Sequence, residues 1–211
     1  MNTIMSFQTR LQEFAGTGAI WVRKWRRMAA LAVLLGALPL PLLAAEPPAV
    51  GEKAPDFALK TLGDQTVRLS ELTAKTNVVL VVLRGWPGYQ CPICERQVSD
   101  FVNSAPDFAA AGAQVLFVYP GPADGLKAHA EEFKQMKGKE WPATFLYVLD
   151  PDYTMINAYH LRWDAPHETS YPSTFVLDPQ GVIRFSKISH SHGDRSSAAA
   201  VLAAVKKLSA K

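Results

Sequence analysis

Cys91-Pro92-Ile93-Cys94 holds the only two cysteines of this 211-residue chain. Two thiols three residues apart can close a small disulfide and reopen it under reduction. The residues around them read as the junction of a strand with a helix. Backbone N–H groups in a first helical turn lack partners within the helix, so they and the helix dipole favour a thiolate over a thiol. A free cysteine, with a pKa of about 8.5, is mostly protonated at neutral pH. Such a placement therefore supplies the activation that attack on a disulfide or a peroxide requires. Pro92 suits an early helical position, where its missing N–H costs little. Gly85, Pro87 and Gly88 describe a bent loop ahead of the pair, expected to present the sulfurs at an exposed sheet edge.

Two inert roles compete with redox chemistry. A staple across two intervening residues restrains so little of the unfolded chain that stability is a poor reason for the bond. Zinc normally takes four ligands, of which Cys91 and Cys94 supply two and His190 and His192 are the candidates for the rest. The Ser-Gly-Asp surroundings of those histidines read instead as an exposed loop, and His129, His160 and His167 lack suitable spacing. Trp86 reads as a packing or substrate-facing aromatic. Tyr171-Pro172-Ser173-Thr174-Phe175 is the second feature, a proline at a strand entrance where a missing donor is tolerated. No flavin, haem or nucleotide motif accompanies the thiols, so no cofactor is expected.

The elements that must position the pair are legible around it. Val78 to Leu83 is a continuous β-branched apolar run and reads as a central strand buried on both faces. From Ile93 the period changes to three and four, placing Cys94, Val98, Phe101, Val102 and Ala105 on one helix face. Pro106 kinks or ends that helix, with Asp107 to Ala111 continuing it or opening another turn. Gln114 to Tyr119 is the next strand, followed by a turn at Pro120-Gly121-Pro122. Asp124 is the expected cap of a helix through about Lys137. Thr144 to Leu149 gives a third strand, ending at Asp150-Pro151-Asp152, and a helical segment follows. Ser173 to Leu177 and Val182 to Phe185 pair antiparallel about Asp178-Pro179-Gln180-Gly181. Ser191 to Ser197 leads into an Ala-rich helix with Val201, Leu202, Val205 and Leu208 on its apolar side. Upstream, Gly63-Asp64-Gln65 separates two short strands of a hairpin, and Ser70-Glu71-Leu72 starts a brief helical turn. The alternation implies an α/β fold, a mixed sheet with helices on both faces.

Residues 1–45 read as an N-terminal extension with a signal peptide or anchor, and 46–211 as one domain. Arg23-Lys24-Trp25-Arg26-Arg27 forms a basic run, and Met28 to Ala45 carries no charge and ends Leu42-Leu43-Ala44-Ala45. This is the layout of a secretory signal, with cleavage expected after Ala45 and an uncleaved anchor through residues 28–45 as the alternative. The expected location is periplasmic or secreted, or tethered to the inner membrane facing the periplasm. The leader also explains the net charge of +3: it holds five of the 22 Lys and Arg and one of the 19 Asp and Glu, leaving 17 basic against 18 acidic residues. A near-neutral domain without a basic stripe gives no sign of nucleic-acid binding.

Three stretches together resemble the thioredoxin-like superfamily and, within it, the alkyl hydroperoxide reductase/thiol-specific antioxidant branch of peroxiredoxins. They are Gly51-Glu52-Lys53-Ala54-Pro55-Asp56-Phe57-Ala58-Leu59, Val79 to Arg84 with Pro87 and the cysteine segment, and Thr174 to Ile183. The resemblance implies a thioredoxin-like fold with an N-terminal hairpin extension, and it raises the expectation of a cis Tyr171-Pro172 bond. Matched at Pro87, Cys91 stands where that branch has a hydroxyl residue and Cys94 where it has the peroxidatic thiol. The arginine expected ahead of the Thr-Phe strand is absent, leaving Arg84 or Arg162 as substitutes. The implied activity is reduction of hydrogen peroxide or alkyl hydroperoxides, with Cys94 attacking and Cys91 resolving. The alternative is thioredoxin-like exchange with protein disulfides, with Cys91 attacking and Cys94 releasing the mixed disulfide. A non-catalytic binding module is the third reading. Either activity needs a partner thiol protein or a small thiol as electron donor.

Overall fold

A computed structural model describes residues 46–135 and 141–209. The expected leader and the far end of the helix expected to reach about Lys137 lie outside the described residues. Val78 to Val82 are fully buried in β3 (Asn77–Val82), as an apolar run without alternation predicts. β3 pairs in parallel with β4 (Ala113–Gly121), and β4 in parallel with β5 (Phe145–Pro151). On the other side of β3 lie the antiparallel β6 (Ser173–Leu177) and β7 (Ile183–Ile188). The hairpin of β1 (Ala58–Thr61) and β2 (Thr66–Arg68) joins antiparallel to β5. The seven-stranded order is β2-β1-β5-β4-β3-β6-β7, the mixed sheet with an N-terminal hairpin that the sequence predicts.

The two-residue period of β3 divides the core. Val79, Val81 and Leu83 meet α2 (Pro92–Asn103), α3 (Ala105–Ala110), α4 (Leu126–Gln135) and α6 (Ala198–Ser209) through Phe101, Phe108, Phe133 and Val201. Val78, Leu80 and Val82 face the opposite layer, formed by α1 (Leu69–Thr73), α5 (Thr154–Ala158), Phe57 and Tyr159. Both cysteines belong to the first layer.

Three local readings change. Pro120 and Gly121 continue β4 against Asp150 and Pro151 rather than forming a turn. Pro120 lacks an N–H, but its carbonyl accepts the Trp86 N–H at 3.0 Å, which keeps the strand end tied down. The fourth helix starts at Leu126, beyond Asp124 and Gly125. The Tyr171-Pro172 bond is trans, there being no cis bond among the described residues. The Tyr171 N–H donates to Leu161 O (2.8 Å) and Pro172 O accepts from Ser189 N (2.9 Å), so the approach to β6 is already held by ordinary extended pairing. Among the described residues no helix is long and apolar enough to cross a membrane.

The step from β3 into the cysteine loop is made at Gly85, whose φ of +72° and position against Pro120 exclude a side chain: a Cβ there would lie 1.9 Å from Pro120 O. Gly85→Ala is expected to lower unfolding stability by about 2 kcal/mol or more, combining left-handed strain with a backbone clash. Gly193→Ala, at a position open on all sides, should change it by less than about 0.5 kcal/mol. Urea denaturation of both variants checks the contrast.

Candidate active site

Cys91 is the N-cap of α2, in extended conformation (φ −85°, ψ 109°), and Pro92 fills the first helical position. Its sulfur accepts the Cys94 N–H at 3.3 Å, the side-chain capping bond a Ser or Asp would otherwise make. Cys94 lies one turn on, facing inward, and its sulfur accepts the Arg84 N–H at 3.4 Å. Both thiols are free, so this is the reduced dithiol.

The sulfurs are not presented at an exposed edge: Cys91 is 2% and Cys94 1% exposed. Cys94 sits on the apolar face of α2 with Val98 and Phe101, and Trp86 packs against the same cluster. Their hydrogen-bonding and charged neighbours separate the pair chemically. The hydrogen bond from the Cys94 thiol holds Cys91 down at about 5 against the opposing effect of burial, helped by the N–H groups of Cys94 and Ile93 and the Arg195 guanidinium. Burial pushes Cys94 well up, reinforced by the hydrogen bond it gives to Cys91 and by that neighbour's charge. At neutral pH the pair is one thiolate, Cys91, and one thiol, Cys94.

Arg195 is the functional residue the sequence reading missed. Its Nη2 lies 3.7 Å from Cys91 Sγ, while Nη1 donates to Gln97 Oε1 (3.1 Å) and Nε to the His192 carbonyl (2.9 Å). Among the described residues no carboxylate forms an ion pair with it. It stands 104 positions from Cys91, in the polar loop before α6, and its only sequence signal is a cation just ahead of a helix whose apolar face docks beside α2.

The other candidates fall in different places. Arg84 meets the site through its backbone, but its guanidinium turns away to Glu168 Oε2 (2.7 Å), Tyr89 Oη (2.6 Å) and His167 O (2.5 Å), with its side chain 3% exposed. Arg162 is spent on the carbonyls of Trp163, Glu168 and Thr169 and on the face of Tyr153. Neither arginine supplies the cation at sulfur. Trp86 stacks on His129 (3.6 Å, 9°). Pro87 is half-buried in the loop before Cys91, and Pro172 is buried ahead of β6. His192 is half-buried and bonded to Glu168 (2.8 Å) rather than simply solvated, whereas His190 is exposed. For Glu168 burial works against the charge, yet the bonds from Arg84 and His192 outweigh it and hold the carboxyl below its usual range. Gln90 bridges the loop to α4, accepting from Tyr119 Oη (2.9 Å) and donating to His129 O (2.8 Å) and Glu132 (3.0 Å). Burial raises the Tyr119 phenol, so it serves as a neutral donor.

This arrangement can support two-electron thiol chemistry, in which one sulfur attacks and its neighbour closes the disulfide. Comparison with known proteins agrees. A family model described as the AhpC/TSA family matches residues 50–186. The thiol-disulfide oxidoreductase ResA of Geobacillus kaustophilus is 31% identical over 136 residues, 64% of this chain and 67% of that protein. Peroxiredoxin Bcp of Bacillus subtilis is 28% identical over 137 residues, 63% of this chain and 80% of that protein. The crystal structure of reduced Prx3 from Vibrio vulnificus shares the fold, with a TM-score of 0.61 at 20% identity, covering 75% of this chain and 99% of that one.

Two outcomes follow from the electrostatics. Cys91 titrates lower in the folded than in the unfolded chain, so its thiolate adds stability that is complete above the unfolded value of about 8.5 and is lost as pH falls through about 5. The stability difference between the reduced protein and Cys91→Ser, from denaturant curves, should widen as pH rises from 5 to 8.5. Arg195→Ala should slow reaction of Cys91 with its oxidising substrate about 100-fold, as for loss of one donor to a developing anion, measured under single-turnover conditions.

Proposed function

The chain belongs to the AhpC/TSA family and is a thiol-dependent oxidoreductase, and from that premise we propose that it reduces hydrogen peroxide or alkyl hydroperoxides through the dithiol of Cys91 and Cys94. The observation that carries this reading is a nearly covered thiolate, 2% exposed, with a guanidinium 3.7 Å away. A small peroxide reaches such a sulfur more readily than a folded protein's disulfide does. The Arg195 cation is placed to stabilise charge on the departing oxygen.

The Cys91 thiolate attacks one peroxide oxygen; the O–O bond breaks, Cys91 becomes a sulfenic acid, and the departing alkoxide or hydroxide takes up a proton. The Cys94 thiol then attacks the sulfenic sulfur, forming the disulfide and releasing water that carries away its proton. Two electrons and one proton from a partner thiol protein or a small thiol restore the thiolate and thiol, and the donor's second proton balances the one taken up by the departing oxygen. This order makes Cys91 the attacking sulfur, the reverse of the assignment that the family match at Pro87 implies.

A second reading is exchange with protein disulfides. It is favoured by the split between a low-pKa first thiol and a buried second one, and by the likeness to ResA. Here Cys91 forms the mixed disulfide and Cys94 displaces the substrate's thiolate. The proposal further takes residues 1–45 as a secretory leader and 46–211 as the redox domain, putting the dithiol in the periplasm or outside the cell. Retention of residues 28–45 as an inner-membrane tether is the alternative, and the mass of the exported protein decides between them.

Stopped-flow consumption of hydrogen peroxide and an alkyl hydroperoxide by the reduced chain tests the main reading. Cys94→Ser is expected to consume one equivalent and stop as a sulfenic acid on Cys91, while Cys91→Ser should be at least about 100-fold slower. Slow peroxide turnover alongside fast reduction of a model protein disulfide, lost in Cys91→Ser, would move the assignment to the second reading.

A further inference from the structure

Two lines of hydrogen bonds leave the sulfurs in different directions and meet on one carboxylate. From Cys94, the line runs through the Arg84 N–H (3.4 Å) and then the Arg84 guanidinium to Glu168 Oε2 (2.7 Å). From Cys91, it runs through Arg195 Nη2 (3.7 Å), from Arg195 Nε to the His192 carbonyl (2.9 Å), and from the His192 ring to Glu168 Oε1 (2.8 Å). Glu168 is thus gripped at both oxygens, with its side chain 9% exposed. Its own segment is anchored to the end of β3: Thr169 Oγ1 donates to Arg84 O, and Ser170 Oγ donates to Leu83 O at 2.9 Å.

We infer that Glu168 is a positioning residue for the Cys91 thiolate. Bolted to the sheet through Thr169, Ser170 and Arg84, it fixes the His192 ring. His192 in turn carries the carbonyl that aims Arg195 at the sulfur. The inference rests on Cys91 being the attacking thiolate, and it assigns to a buried carboxylate a task its charge alone would oppose. A nearby negative charge raises a thiol's pKa, whereas a well-aimed guanidinium lowers it. The two roles therefore have opposite signs when Glu168 is removed.

The test is the pH dependence of iodoacetamide alkylation at Cys91, resolved by mass spectrometry, in the reduced full-length chain. Glu168→Ala is expected to raise the midpoint by roughly one pH unit, the size of one loosened charged neighbour. His192→Ala should raise it similarly while leaving Arg84 its carboxylate partner, so it reads the same link even if Glu168→Ala does not fold. Arg195→Ala should raise the midpoint too, and adding Glu168→Ala to it should bring no further rise. A midpoint unchanged or lowered in Glu168→Ala or His192→Ala overturns the inference while the low wild-type midpoint keeps Cys91 as the nucleophile. A wild-type midpoint near the ordinary 8.5 or so removes both.

Discussion

Everything at this site depends on the Cys91 sulfur being held as the cap of α2, accepting the Cys94 N–H at 3.3 Å with the Arg195 guanidinium at 3.7 Å. The two thiols of the first turn of α2 titrate apart, Cys91 held low and Cys94 pushed up by burial. Two thiolates so close and so covered would repel in a medium of low dielectric, and two thiols would leave Arg195 without an anion to face. The mixed state satisfies the cation, the cap and the helix dipole together.

The sheet exists, for this chemistry, to hold that helix start still. β3 delivers Leu83 and Arg84 at the level of the sulfurs, and the close approach of Gly85 to Pro120 welds the loop to β4. From β4 the Tyr119 hydroxyl steadies Gln90, the residue just before Cys91. α6 docks beside α2, with the Ala198 N–H donating to Asp100 at 2.7 Å, and so brings the loop bearing Arg195 across the pair. Separate parts of the chain thus meet at the pair, the Arg84 N–H on the Cys94 sulfur and the Cys94 N–H and Arg195 on the Cys91 sulfur.

The fold and the strand-to-helix junction that carries the two cysteines were legible because their signals are local. An unbroken apolar run specified β3, a change of period specified α2, and Cys-Pro-Ile-Cys with a proline at the first helical position specified the cap. The failures share a cause as well. Arg84 and Arg162 were candidates because they lie near informative motifs, but a guanidinium goes where buried acceptors are, and those came from residues 163–169. Arg195 and Glu168 act across separations of 104 and 84 residues, which no periodicity encodes. Exposure of the sulfurs was inferred from the bent loop's glycines. Gly85 instead lets the backbone press close against Pro120 of β4, while Gly88 stands open.

The unequal protonation of the dithiol also sets its electrical character. A disulfide that opens to one thiolate and one thiol takes up two electrons but only one proton between pH of about 5 and the elevated value of Cys94. Its reduction potential then changes by about 30 mV per pH unit, half the slope of a couple that binds a proton with each electron. Because the anion is stabilised in the open form, the couple is displaced towards accepting electrons. A protein built this way is the more readily recharged by a modest donor.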